Sequence, residues 1–159
     1  MPEEDRSRVV VPDGKAVRVD VPPFFKDLVV TSDFKPDDPW SVRFRNVLIA
    51  RAARFSGRPL LEFGIGGAPN PLEIVHVLNA RGVSGPSSIH GVELDDWRGD
   101  IASHNLDVHG LGVDYEVDIA HAVTWLEGRP AGEVLRGNAL FCLPQAPISG
   151  AENNADGYS

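Results

Sequence analysis

Three carboxylates in this chain each follow a short apolar run, and a turn rich in glycine comes directly after the first of them. Glu62-Phe63-Gly64-Ile65-Gly66 closes the run from Pro59 to Phe63 and leads through Gly67 to Ala68. Glycines let a backbone turn sharply and approach a bound molecule closely, and open α/β sheets bind ligands at the carboxyl ends of their strands. Glu93 closes the run from Ser88 to Leu94. A carboxylate there can accept hydrogen bonds from both hydroxyls of a ribose. Asp118 follows the run from Val113 to Val117, placed to accept from the exocyclic amine of an adenine ring lying between the strand tips. Each acid taken singly reads as a solvated strand end or a helix cap. The recurrence of an acid after each of three strands is what points to a shared site.

The elements that must position these residues follow from punctuation and period. Asp38-Pro39 places a capping carboxylate before a proline at the first helical position, and the row Phe44, Val47, Leu48, Ala52, Phe55 predicts a helix stopped by Gly57. Pro59 to Phe63 reads as a buried strand. Asn70-Pro71-Leu72-Glu73 reads as a helix start, with Asn70 as cap, and Gly82 as that helix's end. Ser88 to Leu94 is a second strand, and Trp97 to Val108 a helix with Trp97, Ile101, Asn105 and Val108 on one side and Gly110 as its stop. Val113 to Val117 is a third strand, Ala120 to Glu127 a helix, and Ala139 to Leu143 a fourth strand ended by Pro144. Strands alternating with helices at this spacing imply right-handed crossovers and a mainly parallel sheet. Ahead of this unit, Arg8 to Val11 and Val17 to Val21 flank Asp13-Gly14, the signal of a hairpin ended by Pro22-Pro23. The expected organisation is a hairpin and linker over residues 1–37, an α/β domain over 38–148 and a polar tail over 149–159.

The composition bounds the function. With 159 residues, 42% hydrophobic and 24% charged, the chain has the balance of one globular domain. No apolar run reaches the roughly 18 residues of a membrane span, and the acidic start is unlike a signal peptide, so the expected compartment is the cytoplasm. The single cysteine, Cys142, allows no internal disulfide and no multi-cysteine metal site. A net charge of −8 argues against a nucleic-acid partner, which calls for clustered Lys and Arg, and favours a small-molecule acceptor. The preference for Arg over Lys, with abundant Ala, Gly and Val, suggests a GC-rich bacterial genome. The five histidines are scattered, with no triad or metal cluster in their spacing, so the expectation is no metal.

On Glu62-x-Gly64-x-Gly66, Glu93 and Asp118, the chain resembles the class I S-adenosylmethionine-dependent methyltransferases over roughly residues 38 to 148. The resemblance implies a Rossmann-like three-layer sandwich that binds S-adenosylmethionine. Glu62, Phe63 and the backbone from Gly64 through Gly66 to Ala68 would face its methionine portion, Glu93 with Leu94 the ribose, and Asp118 with Ile119 the adenine. Ala68 stands where a third glycine is common, and Ala68-Pro69-Asn70-Pro71 lengthens the loop. Leu143 and the segment Cys142-Leu143-Pro144-Gln145 fall in the loop after the fourth strand, beside the transferable methyl. That segment is similar to the Cys-Ile-Pro-Gln loop of methionine S-methyltransferases. This implies Cys142, Pro144 and Gln145 as acceptor-side residues and an amino-acid-like or natural-product substrate of a biosynthetic reaction. Methyl transfer from a sulfonium needs positioning more than acid or base catalysis, and no catalytic base is assigned.

Members of that family continue past the fourth strand, whereas here a polar tail follows it, so the likeness implies a fold truncated there. Completion by another chain, or a homo-oligomer joined across the open edge, is expected, and activity of this chain alone is then weak. Two other readings stay open. One is a methyltransferase-like partner or scaffold without catalysis. The other is an NAD-binding oxidoreductase, which fits less well, because Pro69 occupies the third glycine position and Glu93 stands well beyond the about 20 residues that motif sets.

Overall fold

A two-stranded hairpin packs against an α/β unit, and the computed structural model describes residues 14–129 and 138–141. The hairpin consists of β1 (Ala16–Val21) and β2 (Phe25–Thr31). After α1 (Pro39–Arg51) and a 3-10 turn (Ala52–Phe55), the chain runs through β3 (Pro59–Phe63), α2 (Pro69–Ala80), β4 (Ser88–Glu93), α3 (Asp96–His109), β5 (Tyr115–Ile119), α4 (Ala122–Glu127) and β6 (Asn138–Phe141). The sheet order is β5-β4-β3-β6 and every pairing is parallel. Successive strands thus step outward from β3 to β5, and the chain then crosses to the other side of β3, the order of a doubly wound Rossmann-like sheet. Residues of α1, α2 and α3 pack with Leu60 and Ile89 on one face, and Trp125 and Leu126 of α4 pack with Leu61, Phe63 and Val92 on the other. This makes three layers.

The hairpin forms, but one strand later than the Asp13-Gly14 signal predicts. β1 pairs with β2 across Pro22-Pro23, with Val17 opposite Val30 and Val19 opposite Leu28; Arg8 to Val11 lie outside the described residues. The second strand hides from a period-two reading because Leu28, Val29 and Val30 are all buried, so no alternation betrays it. The Asp38 carboxylate caps α1 as expected, accepting the N–H groups of Trp40 and Ser41 at 3.0 and 3.4 Å. In α2 the start shifts: Ala68 is the cap and Pro69 the first helical residue, where a missing N–H costs nothing. In α3 the buried set is Gly99, Ile101, Ala102, Asn105 and Leu106, and Val108 faces out.

Two polar ties hold the layers in register. Arg45 of α1 donates to the buried carboxylate of Glu73 in α2 at 3.1 Å and to the carbonyl of Pro22 at 3.0 Å, joining two helices and the hairpin turn. Asn105 of α3, fully buried, donates through its side-chain amide to the carbonyls of Val29 at 2.6 Å and Gly67 at 2.8 Å. It therefore binds the hairpin and the glycine turn to one helix. Asn105→Leu strands both carbonyls without a partner, and each such loss costs about 1–3 kcal/mol. Urea unfolding is expected to show a loss of about 3 kcal/mol; a loss near zero would mean that the two carbonyls find water instead.

Candidate functional site

The turn after β3 is held from several sides. The N–H of Gly64 donates to the Val92 carbonyl at 2.8 Å, and that of Ala68 to the Ile65 carbonyl at 2.9 Å. Ile65 is buried and its side chain lies where a β-carbon at Gly91 would have to go, so Gly91 in the middle of β4 is the socket that receives the loop. Gly64 and Gly66 adopt φ of 68° and 54°, left-handed values that glycine takes without steric cost. A β-carbon built at Gly66 meets no atom within 4 Å; the loop presents bare backbone to open space there.

Glu93 closes this arrangement from the neighbouring strand tip. One carboxylate oxygen accepts the Gly66 N–H at 2.8 Å and the other accepts the Leu94 N–H at 3.0 Å. Each oxygen has two lone pairs, so both retain capacity for a further donor. Leu94 and Ile119 flank the acid, 63% and 49% exposed, and offer apolar surface at the tips of β4 and β5.

Glu62 lies beneath the turn, fully buried, and neither of its oxygens has a hydrogen-bonding partner among the described residues. Burial pushes its carboxyl well above the usual carboxylate range. The Asn70 side chain favours the ionised form, and the charge of Glu93 opposes it. A buried charge is costly unless it is paired, so a cation beside this group would favour its ionised form.

Pairing register divides the remaining predicted residues. Side chains alternate along a strand, so Glu62, Glu93 and Ile119 share one face of the sheet, whereas Phe63 and Asp118 project from the other. Phe63 packs edge-on against Trp125, ring centres 5.5 Å apart. Asp118 accepts from His90 at 2.7 Å, Trp125 at 2.8 Å and Arg129 at 3.3 Å. Burial acts to raise its pKa, but the hydrogen bonds from Trp125 and His90 and the charges of His90 and Arg129 prevail and hold it below the ordinary carboxylate value. The structure therefore gathers Glu62, Gly64, Gly66, Glu93, Leu94 and Ile119 and keeps the Asp118 carboxylate apart from them. Ala68 is buried and contributes backbone only. Cys142, Leu143, Pro144 and Gln145 lie outside the described residues. Sequence reasoning placed Asn105 on the packed side of its helix but missed the two carbonyls it holds, and missed the pairing of His90 with Asp118, which only strand register reveals.

No protein-family model matches the chain, and no curated protein matches it. Among solved structures, an O-methyltransferase from Bacillus cereus in complex with SAH is 18% identical, with 78% of this chain and 52% of that one covered and a TM-score of 0.47. Protein arginine methyltransferase 10 of Arabidopsis thaliana is 18% identical over 52% of this chain and 22% of that one, TM-score 0.42. The cyclase SpnF is 17% identical over 57% and 32%, TM-score 0.41. The chain spans about half or less of the length of these structures.

The burial of Glu62 has a pH signature. Its proton is held more tightly folded than unfolded, so the stability it confers is complete below about pH 4.3, the value of an unfolded glutamate. That stability is lost as pH rises toward the elevated native value, by up to about 1.4 kcal/mol per pH unit. Glu62→Gln removes this dependence. In urea unfolding the variant is expected to gain on the native chain steadily from acid to neutral pH; a constant difference would show that Glu62 ionises freely in the folded state.

Proposed function

We propose that the chain binds S-adenosylmethionine over the Gly64–Ala68 turn and acts as a methyltransferase, or as the cofactor-binding portion of one, toward a small molecule such as an amino acid or natural-product intermediate. The observation that carries this reading is the pair of acids on one sheet face: Glu93 grips the loop amide at the tip of β4 while Glu62 lies under the same loop, buried and with no cationic side chain paired to it among the described residues. The donor set fits the group. A positively charged amino-acid portion supplies the counter-charge that buried Glu62 lacks among the described residues, two ribose hydroxyls match the two oxygens of Glu93, and the exposed Leu94 and Ile119 suit the faces of a purine. Asp118, turned to the other face, has no contact in this reading.

Bound there, the cofactor supplies a methyl group already activated on a sulfonium. The residues of this chain then have three tasks: to hold the ligand's charged end at Glu62, to fix the ribose at Glu93, and to exclude water with Leu94 and Ile119. Positioning of this kind can lower the barrier of a displacement by about 7–11 kcal/mol. The preference for a small acceptor rests on the net charge of −8, which opposes a polyphosphate backbone.

Calorimetric titration tests the reading. The native chain is expected to bind S-adenosylmethionine and S-adenosylhomocysteine one to one and to give no heat with NAD. Glu93→Ala removes a charged acceptor from two hydroxyls, and hydrogen bonds to charged groups are worth about 1.5–3 kcal/mol each, so affinity should fall by roughly 100-fold or more. Equal affinity in both proteins would remove Glu93 from the site, and binding of NAD alone would replace the proposal with the oxidoreductase reading.

A further inference from the structure

The sheet face opposite the glycine turn carries side chains to which the reading above gives no task. His90 stands on β4, Glu116 lies directly across the pairing on β5, and Asp118 follows two residues on, so all three project the same way. The two imidazole nitrogens meet different acids: Nε2 is 2.7 Å from an Asp118 oxygen and Nδ1 is 4.0 Å from a Glu116 oxygen. Trp125 and Arg129 also donate to Asp118. A carboxylate receiving those donors accepts from the ring as well, which places the proton of the neutral imidazole on Nε2. In that tautomer Nδ1 presents its lone pair toward the Glu116 carboxylate. At 4.0 Å the two are too far apart for a hydrogen bond. Two tetrahedral ligands about 2.0–2.1 Å from zinc lie roughly 3.3–3.4 Å from one another, so the exposed Glu116 side chain need shift by only about half an ångström to share one divalent ion with the ring.

We propose that His90 Nδ1 and Glu116 form a site for a zinc-class divalent cation on this face, with Asp118 orienting the imidazole from behind. Ligating histidines characteristically donate their second ring N–H to a carboxylate, which fixes the tautomer and strengthens the ligand. Because Trp125, Arg129 and His90 all meet the same oxygen, Oδ2, of Asp118, that oxygen acts as a brace for the ring and water completes the coordination. Glu116, 69% exposed in its side chain, gives the ion a route from solvent. Composition and spacing predict no metal, since the ligands lie far apart in sequence and meet only through the pairing of β4 with β5. A bound ion would pin the outer strand of the sheet to its neighbour and stabilise the chain by mass action. None of this depends on the glycine turn or its ligand.

The test is zinc titration of the untagged native chain by calorimetry, with the ring nitrogens of the histidines followed by nitrogen-15 NMR. One zinc per chain is expected, with the resonance of His90 Nδ1 moving and that of Nε2 remaining protonated. Glu116→Gln should weaken binding at least tenfold with circular dichroism unchanged, because the side chain is exposed. Asp118→Asn should weaken it about 10–100-fold. No uptake at millimolar zinc, uptake undiminished by Glu116→Gln, or a response at another histidine in place of His90 would overturn the proposal. So would a doubly protonated His90 ring that ignores zinc near neutral pH, since the two acids would then share a proton and not a metal.

Discussion

The bond from the Gly66 amide to the Glu93 carboxylate, 2.8 Å long, sets the shape of everything around it. It runs from the loop after one strand to the tip of the next, so the loop cannot form its turn unless β3 and β4 are already paired in register. The acceptor is charged and nearly enclosed, which makes such a bond roughly twice as strong as a neutral one. The other restraints serve the same end. Ile65 seats the loop on Gly91, and Asn105 holds the carbonyl of Gly67 from α3. A backbone surface fixed in this way needs no reorganisation when a ligand arrives, which is the condition under which binding energy is used most fully.

Strand alternation then separates two chemistries by the thickness of one sheet. On one face Glu62 and Glu93 converge under and beside the glycine turn. On the other, one residue out of step, His90, Glu116 and Asp118 converge with Trp125 and Arg129. The acids at 93 and 118 both sit near strand tips, yet Glu93 pairs with Ile119 and Asp118 with Val92, and that single step of register assigns them to opposite faces. The α4 helix reinforces the division: the Trp125 ring packs on Phe63 and its indole N–H holds Asp118.

Much of the fold was legible because its punctuation is local. Asp38-Pro39 starts α1, Gly110 caps α3, and the apolar runs at Pro59 and Ser88 are strands within a residue of their expected limits. The candidate loop was legible for the same reason, since glycines between a strand and a helix are adjacent in the chain. What escaped depends on partners far away in sequence. β2 carries no alternation because both of its faces are covered. Asn70 is displaced as a cap by Pro69, whose ring sets the first helical φ two residues earlier than the capping pattern suggests. The side of the sheet that Asp118 occupies follows from pairing register, which no short motif encodes. Asn105 is chosen by two carbonyls, at Val29 and Gly67, that only the folded chain brings to it.

The closeness of Glu62 and Glu93 shows why the loop can be rigid and still responsive to charge. Two carboxylates that share a low-dielectric site do not both ionise readily. Here the surroundings differ: Glu93 receives two backbone N–H groups, whereas burial raises the carboxyl of Glu62 against the opposing Asn70 side chain. The restraints on the loop come from Glu93, Val92, Gly91 and Asn105 and none from Glu62, so its geometry is indifferent to the state of Glu62. A cation entering beneath the turn would ionise Glu62 without disturbing the bond that shapes the loop, and a neutral molecule of the same outline would leave it protonated. Separating the acid that shapes the loop from the acid that can answer to charge allows a preformed site to distinguish ligands by charge as well as by fit.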